Sequence, residues 1–393
     1  MKKVKTILVI ILSFVVVAES KGQRQAGSDE TIKVDVKKSS YPQKELVLHD
    51  FMDVEYVALE TNDDFINQGV VRAIGKDLIL VVNRKSDGDI FVYDRQGKAL
   101  RIINRKGQGG EEYIAYSHIV LDEDNGEIFV SDYMTRKILV YDLFGKFKRS
   151  FMYQEYAKKR MFYHNMFNYD KNNLITYDNS INNKDDVYVL ISKQDGSITK
   201  EIKIPVKKKI SLFKAGDVLE DGSSIFYGAT VYSDIAPFNS NFLLSAISSD
   251  TMYILSPDHS LRPFIVKTPL LQSMDPEVAL IFRFSSNRYY FMETIKTEFT
   301  ERGFEPANPL MYDKQEKAFF RYKIYNGDYS IKKEISVRSL EPVNHERESQ
   351  QILQADQIVE SYKKGELKGK LKDIASKLDA DDNPVIMLIK HKK

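Results

Sequence analysis

From residue 54 onward the chain alternates short apolar runs with polar turns at nearly regular spacing. Val54-Glu-Tyr-Val-Ala-Leu59 alternates as a half-buried strand does, and Leu78-Ile-Leu-Val-Val82 is a continuous apolar run of strand length. Ile90-Phe-Val-Tyr-Asp-Arg-Gln-Gly-Lys98 then reads as a strand entering a tight turn, and Ala99-Leu-Arg-Ile-Ile103 as its return. The order recurs in Ile128-Phe-Val-Ser-Asp132, Lys137-Ile-Leu-Val-Tyr-Asp-Leu-Phe-Gly-Lys146 and Phe147 to Phe151. Asp94 and Asp142 lie 48 residues apart, as do Gly97 and Gly145. Self-similarity at that period means a propeller or a solenoid. In each copy the Asp side chain can bond its own backbone and the Gly supplies the positive φ of a hairpin turn.

Weaker copies follow. Val187-Tyr-Val-Leu-Ile-Ser-Lys-Gln-Asp-Gly196 is a third, and Met252-Tyr-Ile-Leu-Ser-Pro-Asp-His259 a fourth, with His259 in the turn-glycine position. Phe319-Phe-Arg-Tyr-Lys-Ile-Tyr-Asn-Gly327 reads as a fifth. Glu346 to Leu378 loses the alternation and reads as helical, with Leu367, Leu371, Ile374 and Leu378 on one stripe and Gly365 between two helices. Pro384-Val-Ile-Met-Leu-Ile389 is β again. A strand at that end can pair with the N-terminal segment and close a ring, or extend a local hairpin.

The N-terminus reads as an address. Met1-Lys-Lys-Val-Lys5 is basic, and Ile7 to Ala18 is apolar except at Ser13. That stretch is shorter than the ~20 residues that cross a bilayer, and Ser20 and Gly22 follow as small residues. The expectation is a signal peptide over residues 1–22, with an uncleaved anchor as the alternative. A polar linker over residues 23–45 and a single domain over 46–393 would follow, the helical segment 346–379 within it.

Composition narrows the function. The chain has 42% hydrophobic residues with 23 Tyr and 22 Phe, which favour strands. Without Lys2, Lys3, Lys5, Lys21 and Glu19 the mature chain carries 54 basic and 55 acidic residues. Such balance offers no long-range pull on polyanions, so nucleic acid is not an expected partner. The absence of cysteine excludes disulfides, thiolate metal sites and a lipoprotein anchor.

These features together resemble a family of six-bladed β-propellers exported by gut-type Gram-negative bacteria and similar to NHL repeats. The match rests on Val54-Glu-Tyr-Val-Ala-Leu-Glu-Thr61, the paired Val-Tyr-Asp-x-x-Gly-Lys hairpins, Gly107-Gln-Gly-Gly-Glu-Glu-Tyr113 and Asp381-Asp-Asn-Pro-Val-Ile-Met-Leu-Ile-Lys390. It departs at Gly110, where the family has Pro, at Glu111, where it has Gly, and in lacking the cysteine of lipoprotein members. The resemblance implies an all-β six-bladed propeller with a short helical insertion and a terminal closing strand, placed in the periplasm or the medium. The family is mostly without an assigned activity.

Candidate chemistry is sparse. Gly107–Gly110 lacks the Gly-Lys-Ser/Thr and following helix of a phosphate loop. Asp122-Glu-Asp-Asn-Gly-Glu127 partly resembles a calcium loop, but Tyr133 stands where the bidentate Glu belongs and Asn125-Gly126 marks a hairpin. The six histidines form no zinc motif. Arg72, His118, His164, Lys214 and Arg283 fall near the starts of inferred inner strands, where they would line a channel mouth and bind an anionic or sugar ligand. The expected role is a binding or scaffold module for an envelope protein or glycan. The competing reading, by fold analogy, is a calcium-dependent lactonase with Glu55, Asn165 and Asp217 as ligands.

Overall fold

In the repeats, apolar runs too short for helices are separated by turns that reverse the chain, and each repeat folds into an antiparallel sheet. The computed structural model describes residues 31–392 apart from residues 39, 85–86, 157–158, 162, 179–184, 219–223, 231 and 343–348. The expected signal peptide lies outside the described residues. Six four-stranded blades form a β-propeller. From inner to outer strand, blade 1 is Val70–Ile74, Leu78–Val82, Asp89–Asp94 and Ala99–Asn104. Blade 2 is Tyr116–Asp122, Glu127–Asp132, Lys137–Asp142 and Phe147–Met152, and blade 3 is Tyr163–Asn168, Asn173–Asp178, Asp186–Ser192 and Ile198–Ile204. Blade 4 is Ile235–Phe238, Asn241–Leu244, Thr251–Leu255 and Leu261–Thr268, and blade 5 is Val278–Ser285, Tyr289–Lys296, Asn308–Asp313 and Ala318–Tyr325. Blade 6 is Glu341–Pro342, Ser349–Leu353, Val385–His391 and Met52–Ala58.

The core lies between blades, because side chains alternate along a strand and both faces of each blade are covered. Leu80 and Val82 pack toward Val130 and Leu139 of blade 2. Their neighbours Ile79 and Val81 pack toward Ile386 and Leu388 of blade 6. That two-sided burial is why Leu78–Val82 reads as a continuous apolar run. The helices Ala355–Lys363 and Gly369–Ala375 bury Ile358 and Leu371 in the cluster between blades 5 and 6.

The hairpin turns do what their residues predict and also join the blades. Asp94 Oδ1 accepts the N–H groups of Gln96 and Lys98, both at 2.9 Å, and Gly97 has φ +86°. Asp142 Oδ1 accepts from Phe144 at 2.8 Å and Lys146 at 2.9 Å, with Gly145 at φ +83°. Each glycine also sits hard against the outer strand of the preceding blade. A Cβ on Gly97 would lie 2.1 Å from the Ala58 carbonyl oxygen, and one on Gly145 would lie 2.6 Å from Ile103. Two arginines 48 residues apart also bridge successive blades: Arg101 Nε of blade 1 donates to Leu143 O of blade 2 at 2.8 Å, and Arg149 Nε of blade 2 to Lys193 O of blade 3 at 3.1 Å.

Three expectations change. Order begins well before residue 46. Ile32–Asp35 adds in parallel to the outer strand of blade 4, and Gln43–Val47 adds in parallel to that of blade 5. The alternation Ile32-Lys-Val-Asp-Val36 carries this signal, and Val34 is fully buried. Second, Ser349–Leu353 is a strand where helix was expected, since it pairs with Val385–Ile389. Third, the fifth hairpin turn follows Asp313 and has Lys317 at φ +49°, so Phe319 to Tyr325 belongs to the outer strand after it. The ring closes as expected, Val385–His391 pairing antiparallel with Met52–Ala58.

Lys267, at the end of blade 4, is 1% exposed and donates to Ile247 O at 3.0 Å. Burial pushes its amine down to about 8, against the pull of the Asp250 and Asp186 carboxylates. The cost of holding the proton is fully present below that value and vanishes above the unfolded value of 10.5. Denaturant titrations should therefore show wild-type stability rising, relative to Lys267→Met, from pH 8 to about 10.5. Gly97→Ala should cost about 2–4 kcal/mol from the left-handed φ plus the clash. Gly126→Ala, at φ +64° with nothing within 4 Å, should cost only about 1–2 kcal/mol in the same melts.

Candidate functional site

The six inner regions converge on a cavity of about 350 Å³. Its wall takes Val71–Ile74 from blade 1, His118–Leu121 from blade 2 and Asn165–Asn168 from blade 3. Blade 4 adds Ala236, Pro237, Leu243 and Ser245, blade 5 adds Phe282 and Arg283, and Gln350 comes from blade 6. The segment between blades 3 and 4 supplies Tyr232 and Ser233, and the turn before blade 6 supplies Arg338.

Four of the inner strands carry bulges. The inner-strand register shifts between Val71 and Ala73, between Tyr116 and His118, between His164 and Met166, and between Phe282 and Phe284. The extra residues are thus Arg72, Ser117, Asn165 and Arg283. A bulge leaves one residue out of the ladder and re-aims its side chain. Asn165 takes φ +53°, a left-handed conformation that Asn tolerates better than most residues. Its N–H donates to His118 Nε2 at 3.1 Å, so a neutral His118 carries its proton on Nδ1.

The wall is cationic. Arg72, Arg283 and Arg338 line it, and none of the described lining residues is acidic. One buried counter-charge behind the wall is Glu293, 4% exposed on the second strand of blade 5. It accepts Arg283 Nε at 2.8 Å and Nη2 at 2.5 Å, and Arg338 Nε at 3.2 Å. Arg283 Nη2 also donates to Thr230 Oγ1 at 2.7 Å. At the head of blade 2, burial and the nearby Asp87 carboxylate push the Tyr116 hydroxyl up to about 12, with Arg72 pulling the other way.

Of the residues singled out from sequence, Arg72, His118, Arg283 and Asn165 come together here. They lie within the inner strands rather than before them. The His164 backbone is in the blade 3 inner strand opposite Tyr177, and its side chain lies outside the described set. Lys214 is exposed on a two-stranded hairpin, opposite Tyr227, and is not among the lining residues. Asp217 is on the same hairpin, and its side chain also lies outside the described set. Glu55 is on the outer strand of blade 6, paired with Lys390 at 3.1 Å. Arg338, Gln350 and Glu293 were missed. The two-residue inner strand Glu341–Pro342 leaves no periodic signal to place the first two, and Glu293 acts only through its arginines.

The other two candidate loops are structural. Glu112 folds back to accept Gly109 N–H at 2.8 Å, and the neighbouring Tyr113 hydroxyl donates to Gly88 O at 2.6 Å. Asp122 accepts Asn125 Nδ2 at 2.8 Å and the buried Lys193 Nζ at 2.6 Å, so its charge is already matched.

The fold and cavity define a closed six-bladed β-propeller with a cationic axial site. The chain belongs to the family described as a domain of unknown function, DUF4934, which matches residues 30–390. Among solved structures, it is similar to a Bacteroides fragilis protein named as exported, with TM-score 0.58, 14% identity, and coverage of 90% of this chain and 100% of that one. A Bacteroides vulgatus member of the DUF4221 family aligns with TM-score 0.45 and 9% identity over 87% of this chain and 99% of its own. A streptogramin B lyase aligns with TM-score 0.31 and 11% identity over 72% and 94%. The first likeness shows the fold; the other two carry no argument. No curated protein matches the sequence.

Glu293→Gln should leave two guanidiniums without their shared carboxylate. The expected loss is about 3 kcal/mol in chemical denaturation, with partial recovery in sulfate. Unchanged stability would mean the arginines do not depend on Glu293.

Proposed function

We propose that this protein is an exported binding module, its ring a rigid scaffold and its axial cavity the recognition site for a glycan. One observation carries the reading. The cavity is of small-ligand size, is walled by every blade, and combines arginines, amides and aromatic surface with no acidic lining residue among those described. Exposed aromatics beside the ring also favour a glycan or protein partner. Tyr227, 42% exposed, lies 5.3 Å from the Phe299 ring, which meets Phe304 at 5.1 Å. Export rests on the basic and apolar pattern of residues 1–22, and periplasm or medium is the expected place.

The lactonase reading needs donors that converge. Glu55 on an outer strand and Asn165 in the cavity wall do not. Among the described residues no cluster of His, Asp and Glu could hold a metal ion.

A glycan array probed with wild-type protein and with Ala236→Trp, which fills the cavity, tests the proposal. Wild-type binding that is lost in a variant of unchanged melting temperature is the expected result. Binding indifferent to the tryptophan would place recognition elsewhere, and capture of an envelope protein with no glycan signal would favour the scaffold role.

A further inference from the structure

The outer rim of the ring carries a second surface, apart from the axial cavity. We infer that the outer edge of blade 1, Ala99–Asn104, takes an extended peptide segment of a partner protein, added in parallel as a fifth strand.

The outer strands of blades 1 to 4 share one irregularity. Near the turn each ladder skips a residue: Leu100, Lys148, Thr199 and Phe264. Two residues further on stand Ile102, Ser150, Glu201 and Val266. The four edges can thus be compared position by position. Blade 4 has Phe264 and Val266, and its edge is covered in parallel by Ile32–Asp35, with Lys33 opposite Val266. Val34 of that added strand packs in the same apolar cluster as Phe264, which is 4% exposed. Blades 2 and 3 have no strand beyond their outer one among the described residues, and they carry the exposed Lys148, Ser150, Thr199 and Glu201. Charged and polar side chains of this kind keep an open edge from pairing. The outer strand of blade 6 is guarded in the same way by the exposed Asp53 and Glu55.

Blade 1 breaks the pattern. No strand covers Ala99–Asn104 among the described residues, yet the two positions hold Leu100, 42% exposed, and Ile102, 36% exposed. This edge has the side chains of a covered strand and the exposure of an open one. The backbone sets what fits it. An edge strand offers N–H and C=O groups at the ladder spacing, which another peptide strand matches and a glycan does not. Both strands that cover edges in this ring run parallel, Ile32–Asp35 on blade 4 and Gln43–Val47 on blade 5. Two copies of one edge related by a two-fold axis pair antiparallel, so a second blade 1 does not reproduce that arrangement. The occupant is therefore a different strand, with apolar residues at alternate positions, of the kind that Ile32-Lys-Val-Asp-Val36 represents.

A peptide array probed with the full mature protein tests this. Its members alternate Val, Ile, Leu or Phe with Lys, Asp, Thr or Ser, and Thr31–Lys38 of this chain is one of them. Binders are then followed by amide hydrogen exchange. At least one should bind the wild type and slow exchange within residues 99–104. Ile102→Glu, which installs the residue that blade 3 has at this place, should weaken binding about ten-fold or more at an unchanged melting temperature. The same peptide N-methylated at alternate residues should lose binding to the wild type in one of the two frames, which tests the ladder without any protein variant. An array with no peptide that protects residues 99–104 overturns the assignment. So does binding that survives Ile102→Glu, or that survives N-methylation in both frames. Protection that appears without peptide and rises with protein concentration makes the edge a contact between copies, and also overturns it. None of these results bears on the glycan array, because the outer strand is not part of the cavity wall.

Discussion

The structure depends on one strand pair. Met52–Ala58, near the start of the described chain, runs antiparallel to Val385–His391 at its end, with seven residues in register from Met52 opposite His391 to Ala58 opposite Val385. Without that ladder the sixth blade has no outer strand, and the first and last repeats present apolar faces to water. Val385 to Ile389 are fully buried because each side chain fills one of the two seams the closing blade shares. Closure over so many residues costs little more entropy than over half as many, since that cost grows with the logarithm of loop length. The parallel strands Ile32–Asp35 and Gln43–Val47 extend the same solution, covering two outer edges that would otherwise stay unpaired.

A ring closed in this way brings together residues that no local segment could. The cavity is walled by the inner strands, and those of blades 1, 2, 3 and 5 are bulged. Arg72, Asn165 and Arg283 occupy equivalent irregular positions in three blades, and the common geometry turns three separate sequence accidents into one wall. Glu293 then holds two of the arginines in place from behind the wall. That carboxylate makes burial of Arg283 tolerable.

This division of labour is what the proposed binding role requires. The seams between blades are packed with apolar side chains, tight glycine turns and arginine-to-carbonyl bonds, so the scaffold has little freedom to deform. The axial site is polar and open to an occupant, and the outlying hairpins carry exposed aromatic rings. Recognition can change through wall residues and hairpins without disturbing the ladders that carry stability.

Much of this was legible in the chain. The 48-residue repeat, the Asp and Gly of the turns and the terminal strand follow from local chemistry: side-chain period, turn conformation and apolar run length act within a few residues. Arg72, His118 and Arg283, expected near the starts of inner strands, line the cavity, whereas Lys214, expected on the same ground, sits on a separate hairpin, because an approximate place in the repeat does not fix which side chain faces the axis. Other features needed the folded ring. A five-residue segment such as Gln43–Val47 becomes a strand only when an outer edge is there to pair with, and Ser349–Leu353 is β because Val385–Ile389 lies beside it. Arg338 and Glu293 enter the site through contacts between distant segments, which leave no spacing to read. The sequence by itself determined the repeat, its turns and the class of fold; only the tertiary structure decided which polar side chains share a cavity, because that follows from ring closure and bulge position rather than from any local pattern.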